Sequence, residues 1–196
     1  MVKPKKWNPE IKKQQIIEAA IKVLNKKEYF RVPVDEVAKQ AGVAKGTIYL
    51  YFKSKEEIYF SVLFALMDKL IEIIDSVRKT EISATKQLAM LLEKMVDFTS
   101  SHRQIFNALR SEVGPHKDKF HNALLKKMFE INQSMSEIVR NGILNNEFKD
   151  YPPALISGVF FSATTLIFHQ QIEQDKTFPP IPPDMLFEIL LKGFGK

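Results

Sequence analysis

Apolar residues recur every three or four positions along most of the 196-residue chain, and no stretch sustains the strict alternation of a half-buried strand. The spacing predicts a helix from Pro9 to about Lys27, with Ile16, Ile17, Ala20, Ile21 and Leu24 on one face. Pro9 suits its first turn, where a missing N–H costs nothing. A short helix comes next with Val34, Val37, Ala38 and Ala41 on one side; Pro33 fits its start without supplying a side-chain cap. Gly42 closes it, because glycine enters the left-handed region that a sharp helix stop needs. Val43 can then turn inward. A second short helix, about Lys45 to Phe52, points Ile48 and Phe52 inward and leaves Lys45, Thr47, Tyr49 and Tyr51 at or near its outer face. Tyr29 and Phe30 are expected to plug the corner of this three-helix module.

Ser54 and Glu57 form a capping box that opens a long helix carrying Ile58, Val62, Leu66, Leu70, Ile73, Ile74 and Val77 and ending near Arg78. That helix is expected to join the module to the rest of the chain. Further helices are predicted at about 84–101, 103–112, 116–142, 152–173 and 184–194. Gly114-Pro115, 142–150 and 177–183 punctuate them. There is no internal repeat, and the fold class is all-α with about nine helices.

A short helix, a glycine turn and a second helix that is polar and aromatic outside make a helix-turn-helix, whose second helix enters the DNA major groove. Val34, Glu36-Val37-Ala38, Ala41-Gly42-Val43, Lys45 to Tyr49, Tyr51-Phe52 and Lys53 to Glu57 closely resemble the N-terminal signature of the TetR family of transcriptional regulators. The resemblance implies a DNA-binding domain at 1–55 and a ligand-binding and dimerisation domain at 56–196. It also implies a double-stranded, palindromic operator. Lys45 and Thr47 are the candidates for base-edge contacts, and Tyr49, Tyr51 and Lys55 for phosphate contacts, with Gly46 allowing close approach. Two positions depart from the family pattern. Ala44 stands where a hydroxyl is common, and Leu50 stands where a polar residue is common, so Leu50 is expected to meet a thymine methyl.

Charge sharpens the division. Residues 1–55 hold 13 Lys+Arg against 5 Asp+Glu, whereas the remainder holds 16 against 18, so the positive excess of the chain sits on the DNA-reading part. A basic third suits a polyanion and a near-neutral remainder suits packing or small-molecule binding. Lys3, Lys5 and Lys6, with Pro4 and Trp7, make an N-terminal arm of little fixed structure that is able to touch phosphates. No apolar run suited to a secretory signal comes after it, and a cytoplasmic location is expected.

Pro152 to Ile172 holds no charged residue. A membrane span is the first alternative for such a run, but Ser157, Ser162, Thr164, Thr165, His169, Gln170 and Gln171 argue against it. A helix apolar nearly all round must be covered on several sides. Ala154, Gly158 and Ser162 form a small-residue stripe; Phe160, Phe161, Leu166 and Phe168 add bulk; and the last helix brings Met185, Leu186, Ile189, Leu190 and Phe194. Similar final helix pairs form a four-helix dimer interface in the family. Ala154, Gly158, Phe161, Ser162, Leu186 and Leu190 are therefore the expected homodimer contacts.

Chemistry is sparse elsewhere. The chain has no cysteine, no Walker A loop, no GxGxxG and no HExxH. His116 and His121 are five apart with Asp118 between them, a spacing that does not put both on one helix face, so surface histidines outweigh a metal site. No cofactor, metal or catalytic residue is expected, and the chain does not read as an enzyme. Soft and aromatic residues crowd the second half. Single ones usually belong to a core, yet methionine adapts to varied apolar guests and helical bundles hold apolar pockets. The resemblance implies an effector cavity there, for which Phe64, Met67, Met95, Phe98, Phe106, Met128 and Phe129 are the candidates. The resulting expectation is a dimeric repressor released from its operator by a small, largely apolar effector. The rival is a constitutive DNA-binding structural protein with a solid bundle and no ligand.

Overall fold

The computed structural model describes residues 8–106, 117–173 and 181–196, with side chains for 8–106, 120–167 and 181–196. Eight α-helices are described: α1 Pro9–Leu24, α2 Val34–Ala41, α3 Lys45–Tyr51, α4 Lys55–Arg78, α5 Ala84–Ser101, α6 Lys117–Leu144, α7 Pro153–Glu173 and α8 Pro183–Phe194. A 3-10 turn at Tyr29–Arg31 joins α1 to α2. No strand is present among the described residues, only one isolated bridge between Phe148 and Gly195. The lysine arm with Trp7, the predicted helix beyond Phe106, Gly114-Pro115, His116 and the side chains of Phe168 and His169 lie outside the described residues.

The chain forms two compact units. Among the described residues, the first holds 8–65 and 104–106, and the second holds 66–103, 117–173 and 181–196. The first unit takes in the opening turns of α4. Burial is the reason. Ile58, Tyr59, Phe60, Val62 and Leu63 are each at most 3% exposed, and the Tyr59 hydroxyl donates to the Ile105 carbonyl at 2.6 Å. Each aliphatic side chain so buried contributes about 1.5–3 kcal/mol.

In the first unit, Asn8 caps α1 by accepting from the Glu10 N–H at 3.0 Å, and the helix stops at Leu24, short of the predicted Lys27. Tyr29 packs edge-on against Tyr59 at 5.0 Å, as a corner plug should, but Phe30 is 69% exposed and plugs nothing. The capping box at α4 exists in altered form. The Ser54 hydroxyl accepts from the Glu57 N–H at 3.3 Å, while the Glu57 carboxylate reaches the Lys53 N–H at 2.7 Å, one residue before the expected donor.

In the second unit, α7 packs along α6, and α5 packs on both. The polar residues of α7 that spoke against a membrane span are satisfied locally. Ser157, fully buried, pairs its hydroxyl with that of Ser136 at 2.8 Å and also donates to the Asn132 side-chain oxygen. Thr164 donates to the Phe161 carbonyl at 2.7 Å. Among the described residues, no helix is long and apolar enough to cross a membrane. The helix predicted to end at Gly142 runs on to Leu144 as α6, and the fully buried Phe148 ring lies against Gly142, where a side chain would collide with it.

The loop after α6 also fixes the start of α5. Asn146, at φ 60°, turns the chain so that the Glu147 carboxylate accepts from the Ala84 and Thr85 N–H groups at 2.9 and 2.8 Å. Burial pushes the Glu147 pKa up, but the hydrogen bonds from the Thr85 and Ala84 backbone together outweigh it and hold the group below the usual carboxylate range. A depressed acid stabilises the fold above its unfolded pKa and loses that contribution as pH falls through the folded value. Glu147→Gln is therefore expected to cost about 1 kcal/mol near neutral pH, the usual worth of a capping group. It should cost little once the medium is more acidic than the folded pKa. Urea melts of both proteins across the acid range check this; a pH-independent difference would show that the carboxylate charge is not what holds α5.

Candidate nucleic-acid interface

The first unit carries the helix-turn-helix. Gly42 sits at φ 66°, ψ 36°, and its N–H and that of Val43 bond back to the carbonyls of Lys39 and Ala38 at 3.2 and 3.0 Å. This double closure satisfies the end of α2 and needs the left-handed conformation that costs other residues about 1–2 kcal/mol. No atom lies within 4 Å of where a Cβ would stand, so backbone conformation, not space, selects the glycine. Ala44 then leads into α3 in extended conformation with no side-chain cap.

Ile48 is fully buried and Phe52 is 1% exposed, which fixes the rotation of α3 about its axis. The opposite side is open. Leu50 is 83% exposed and Tyr49 is 47% exposed, Lys45 and Gly46 are also exposed, and Thr47 and Tyr51 are partly so. A helix pinned by two buried residues and presenting a cation, a glycine, a hydroxyl, two phenols and a bare leucine has the makeup of a groove reader. Leu50, the most exposed apolar side chain of the unit, has no partner within it that would explain its presence.

Two of the expected DNA contacts are engaged within the unit. The Lys55 ammonium lies 4.3 Å from the centroid of the Tyr29 ring and donates to the Phe30 carbonyl at 3.3 Å. In this position it braces the Tyr29 corner. Lys45 forms an ion pair with Asp35 of α2 at 2.7 Å. Asp35 was not singled out from the sequence, because a pair spanning the glycine turn obeys no helical period. Its acidity in an otherwise basic module was the available signal.

The effector candidates divide between the units. Phe64 and Phe106 are partly buried in the first unit, where Phe64 meets Phe60 at 6.2 Å. In the second, Met67 and Met95 are buried, Phe98 is partly buried and stacks on His102 at 4.7 Å, and Met128 and Phe129 are 43% and 62% exposed. Met128 shares a face of α6 with the buried Ile131 and Met135, three and seven positions on, whereas Phe129 lies on the opposite side from Ile131. The second unit also holds an open cleft of about 230 Å³ lined by Arg78, Thr80, Gln87, Asn141 and Asn145. It is polar and unsuited to an apolar guest. No cluster of three or more metal-ligating side chains occurs among the described residues.

The expected dimer contacts also sort unevenly. Ala154 and Ser162 are exposed, while Gly158, Phe161 and Leu190 are partly covered. Leu186, at 7% exposure, belongs to the core of its own chain. Bulkier residues take up the open face: Leu155, Val159 and Leu166 on α7 and Met185 and Ile189 on α8 are each about half exposed or more. Leu155, Val159, Ser162 and Leu166 share one face of α7 at intervals of three and four residues, and Met185 and Ile189, four apart, share one of α8.

The model for the family described as "Bacterial regulatory proteins, tetR family" matches residues 16–62, the span from α1 through the first turns of α4. The chain is 34% identical over 134 residues to the fatty acid metabolism regulator protein of Bacillus subtilis, covering 68% of this chain and 63% of that one. It is 25% identical over 127 residues to the nucleoid occlusion factor SlmA of Haemophilus ducreyi, covering 64% and 61%. The aligned part therefore spans less than two thirds of either relative. Among solved structures, the transcriptional regulator FadR of Bacillus subtilis in complex with stearoyl-CoA superposes with a TM-score of 0.73 at 26% identity, over 92% of this chain and 98% of that one. Signature, all-helical architecture and relatives agree: the chain belongs to the TetR family of transcriptional regulators.

Proposed function

We propose that this chain is a dimeric repressor that holds a palindromic operator and releases it on binding a long-chain acyl-CoA. The observation that carries the reading is the likeness to a FadR solved with stearoyl-CoA, over nearly the full length of both chains. The open face of α3 supports the DNA half, with Lys45, Thr47 and Leu50 toward base edges and Tyr49 and Tyr51 toward phosphates. Met67, Met95 and Phe98 supply apolar surface of the kind an acyl chain requires. The test is thermal melting of the full chain with stearoyl-CoA, free CoA and stearate, alongside release of a duplex chosen by selection from the source genome. Only the intact thioester should both raise the melting temperature by mass action and free the DNA.

A second reading is a constitutive DNA-binding structural protein without ligand regulation; one relative bears the name nucleoid occlusion factor. In that case the melting temperature rises with none of the three compounds.

Dimerisation through α7 and α8 is part of the same proposal. An apolar face that includes Leu155, Val159, Leu166, Met185 and Ile189 is costly to leave in water and self-complementary across a two-fold axis. Val159→Lys would bury an unpaired ammonium in that seam, at a cost of several kcal/mol. Sedimentation should show a dimer for the wild type and a monomer for Val159→Lys at micromolar concentration. A dimer that survives the substitution would place the contact elsewhere.

A further inference from the structure

The Asp35–Lys45 pair joins the N-terminal turns of α2 and α3 on the open side of the helix-turn-helix, at 2.7 Å, with side chains 61% and 51% exposed. Asp35 is the second residue of α2 and Lys45 the first of α3. The N-terminal part of a recognition helix is the part that reaches base edges. The hydrogen bond it donates to Asp35, and then the charge of that carboxylate, hold the Lys45 ammonium above its usual pKa. One ammonium proton is used on Asp35 Oδ2, leaving two donors, and Asp35 Oδ1 accepts from no group among the described residues.

We propose that Asp35 is a specificity-determining residue: it converts Lys45 from a free charge into an oriented donor–acceptor pair that reads a G·C base pair. The inference rests on the DNA-binding reading and adds to it. Guanine offers two neighbouring acceptors, O6 and N7, to the two spare ammonium donors, and its cytosine offers the N4 amine to the free carboxylate oxygen, three bonds in all. An A·T pair offers N7 to the ammonium and the N6 amine to the carboxylate, two bonds, and sets that amine against the remaining ammonium donor. The neutral pair also withholds a cation from phosphates. Lys45 therefore adds little to the counterion release that drives binding to any sequence.

The full-length chain is tested on a pool of randomised duplexes and on one fixed random-sequence duplex titrated with salt. Wild type should enrich a G·C pair at one position of each half-site. Asp35→Asn frees the ammonium, so its log K against log salt should steepen by about 0.9 and its binding to the random duplex should tighten at low salt. Its preference for that G·C pair should fall about tenfold. Lys45→Met should erase the preference. The exchange Asp35→Lys with Lys45→Asp restores a neutral pair and should return the salt slope to the wild-type value, which a merely structural role for Asp35 would not do. A salt slope unchanged in Asp35→Asn, or a selected site with no G·C position dependent on both residues, overturns the inference while leaving DNA binding intact. A wild type that binds neither duplex overturns the DNA-binding reading and this inference together.

Discussion

Phe148→Ala is expected to lower the stability of the second unit by about 3–5 kcal/mol, the range for deleting a fully buried phenylalanine. The ring is fully buried and meets Phe194 edge-on at 5.2 Å. The backbone around it is tied by bonds from the Lys149 N–H to the Phe194 carbonyl at 2.8 Å and from the Lys196 N–H to the Glu147 carbonyl at 3.1 Å. The ring therefore has little room to relax. Gly142→Ala probes the same contact from the other side. Alanine ordinarily gains about 1 kcal/mol over glycine inside a helix. Here its methyl would overlap the Phe148 ring and stand 2.9 Å from the Ala84 Cβ. Overpacking of this kind costs about 1–3 kcal/mol, so the substitution is expected to destabilise on balance. With Phe148→Ala already present, the overlap with the ring is gone and only the approach to the Ala84 Cβ remains, so Gly142→Ala should cost less than it does in the wild type. Urea unfolding of the two single variants and the double variant gives the coupling directly. Simple additivity within about 0.5 kcal/mol would show that the two residues do not share this space.

Much of the first unit was legible because local rules and packing point the same way there. Gly42 reads as a helix stop and adopts a positive φ, and Ile48 and Phe52 read as the inner face of α3 and are buried. Legibility failed where a side chain's partner lies far away in sequence. Lys55 reads as a candidate phosphate contact, and its place over the Tyr29 ring 26 positions earlier is shown by nothing in its own helical period. Gly142 reads as a breaker because glycine usually is one; its real partner is a ring that reaches back from the loop beyond the helix. On α7 the pattern is apolar on every side, so periodicity could not tell its own core from the face left open. The structure makes that choice, burying Ile156, Phe160 and Ile167 and exposing Leu155, Val159 and Leu166. The effector candidates were the least legible. Met67 and Met128 have the same side chain, and only their surroundings, buried for one and open for the other, tell them apart.

The second large effect is expected in DNA binding: saturating stearoyl-CoA should weaken the hold of the full-length chain on its selected duplex by about 5–150-fold, the usual span of an allosteric coupling. In the proposed dimer, two recognition helices must stand about 34 Å apart to enter successive major grooves on one side of the duplex. The effector need not touch the DNA. It has only to bind better to a state in which that spacing is lost, and the shift it produces is limited by that difference in affinity. The acyl chain is the part able to supply the difference, since each methylene taken out of water is worth about 0.8 kcal/mol. Shortening the thioester by two carbons should then weaken effector binding by up to about 15-fold, while free CoA should bind without releasing DNA. Linkage makes the prediction stringent, because operator must lower the affinity for stearoyl-CoA by the same factor by which stearoyl-CoA lowers the affinity for operator. Calorimetric titration of stearoyl-CoA into the chain, alone and saturated with the selected duplex, measures one factor, and displacement of labelled duplex measures the other. Equal affinity for stearoyl-CoA in the two titrations would mean that this thioester does not act as the inducer.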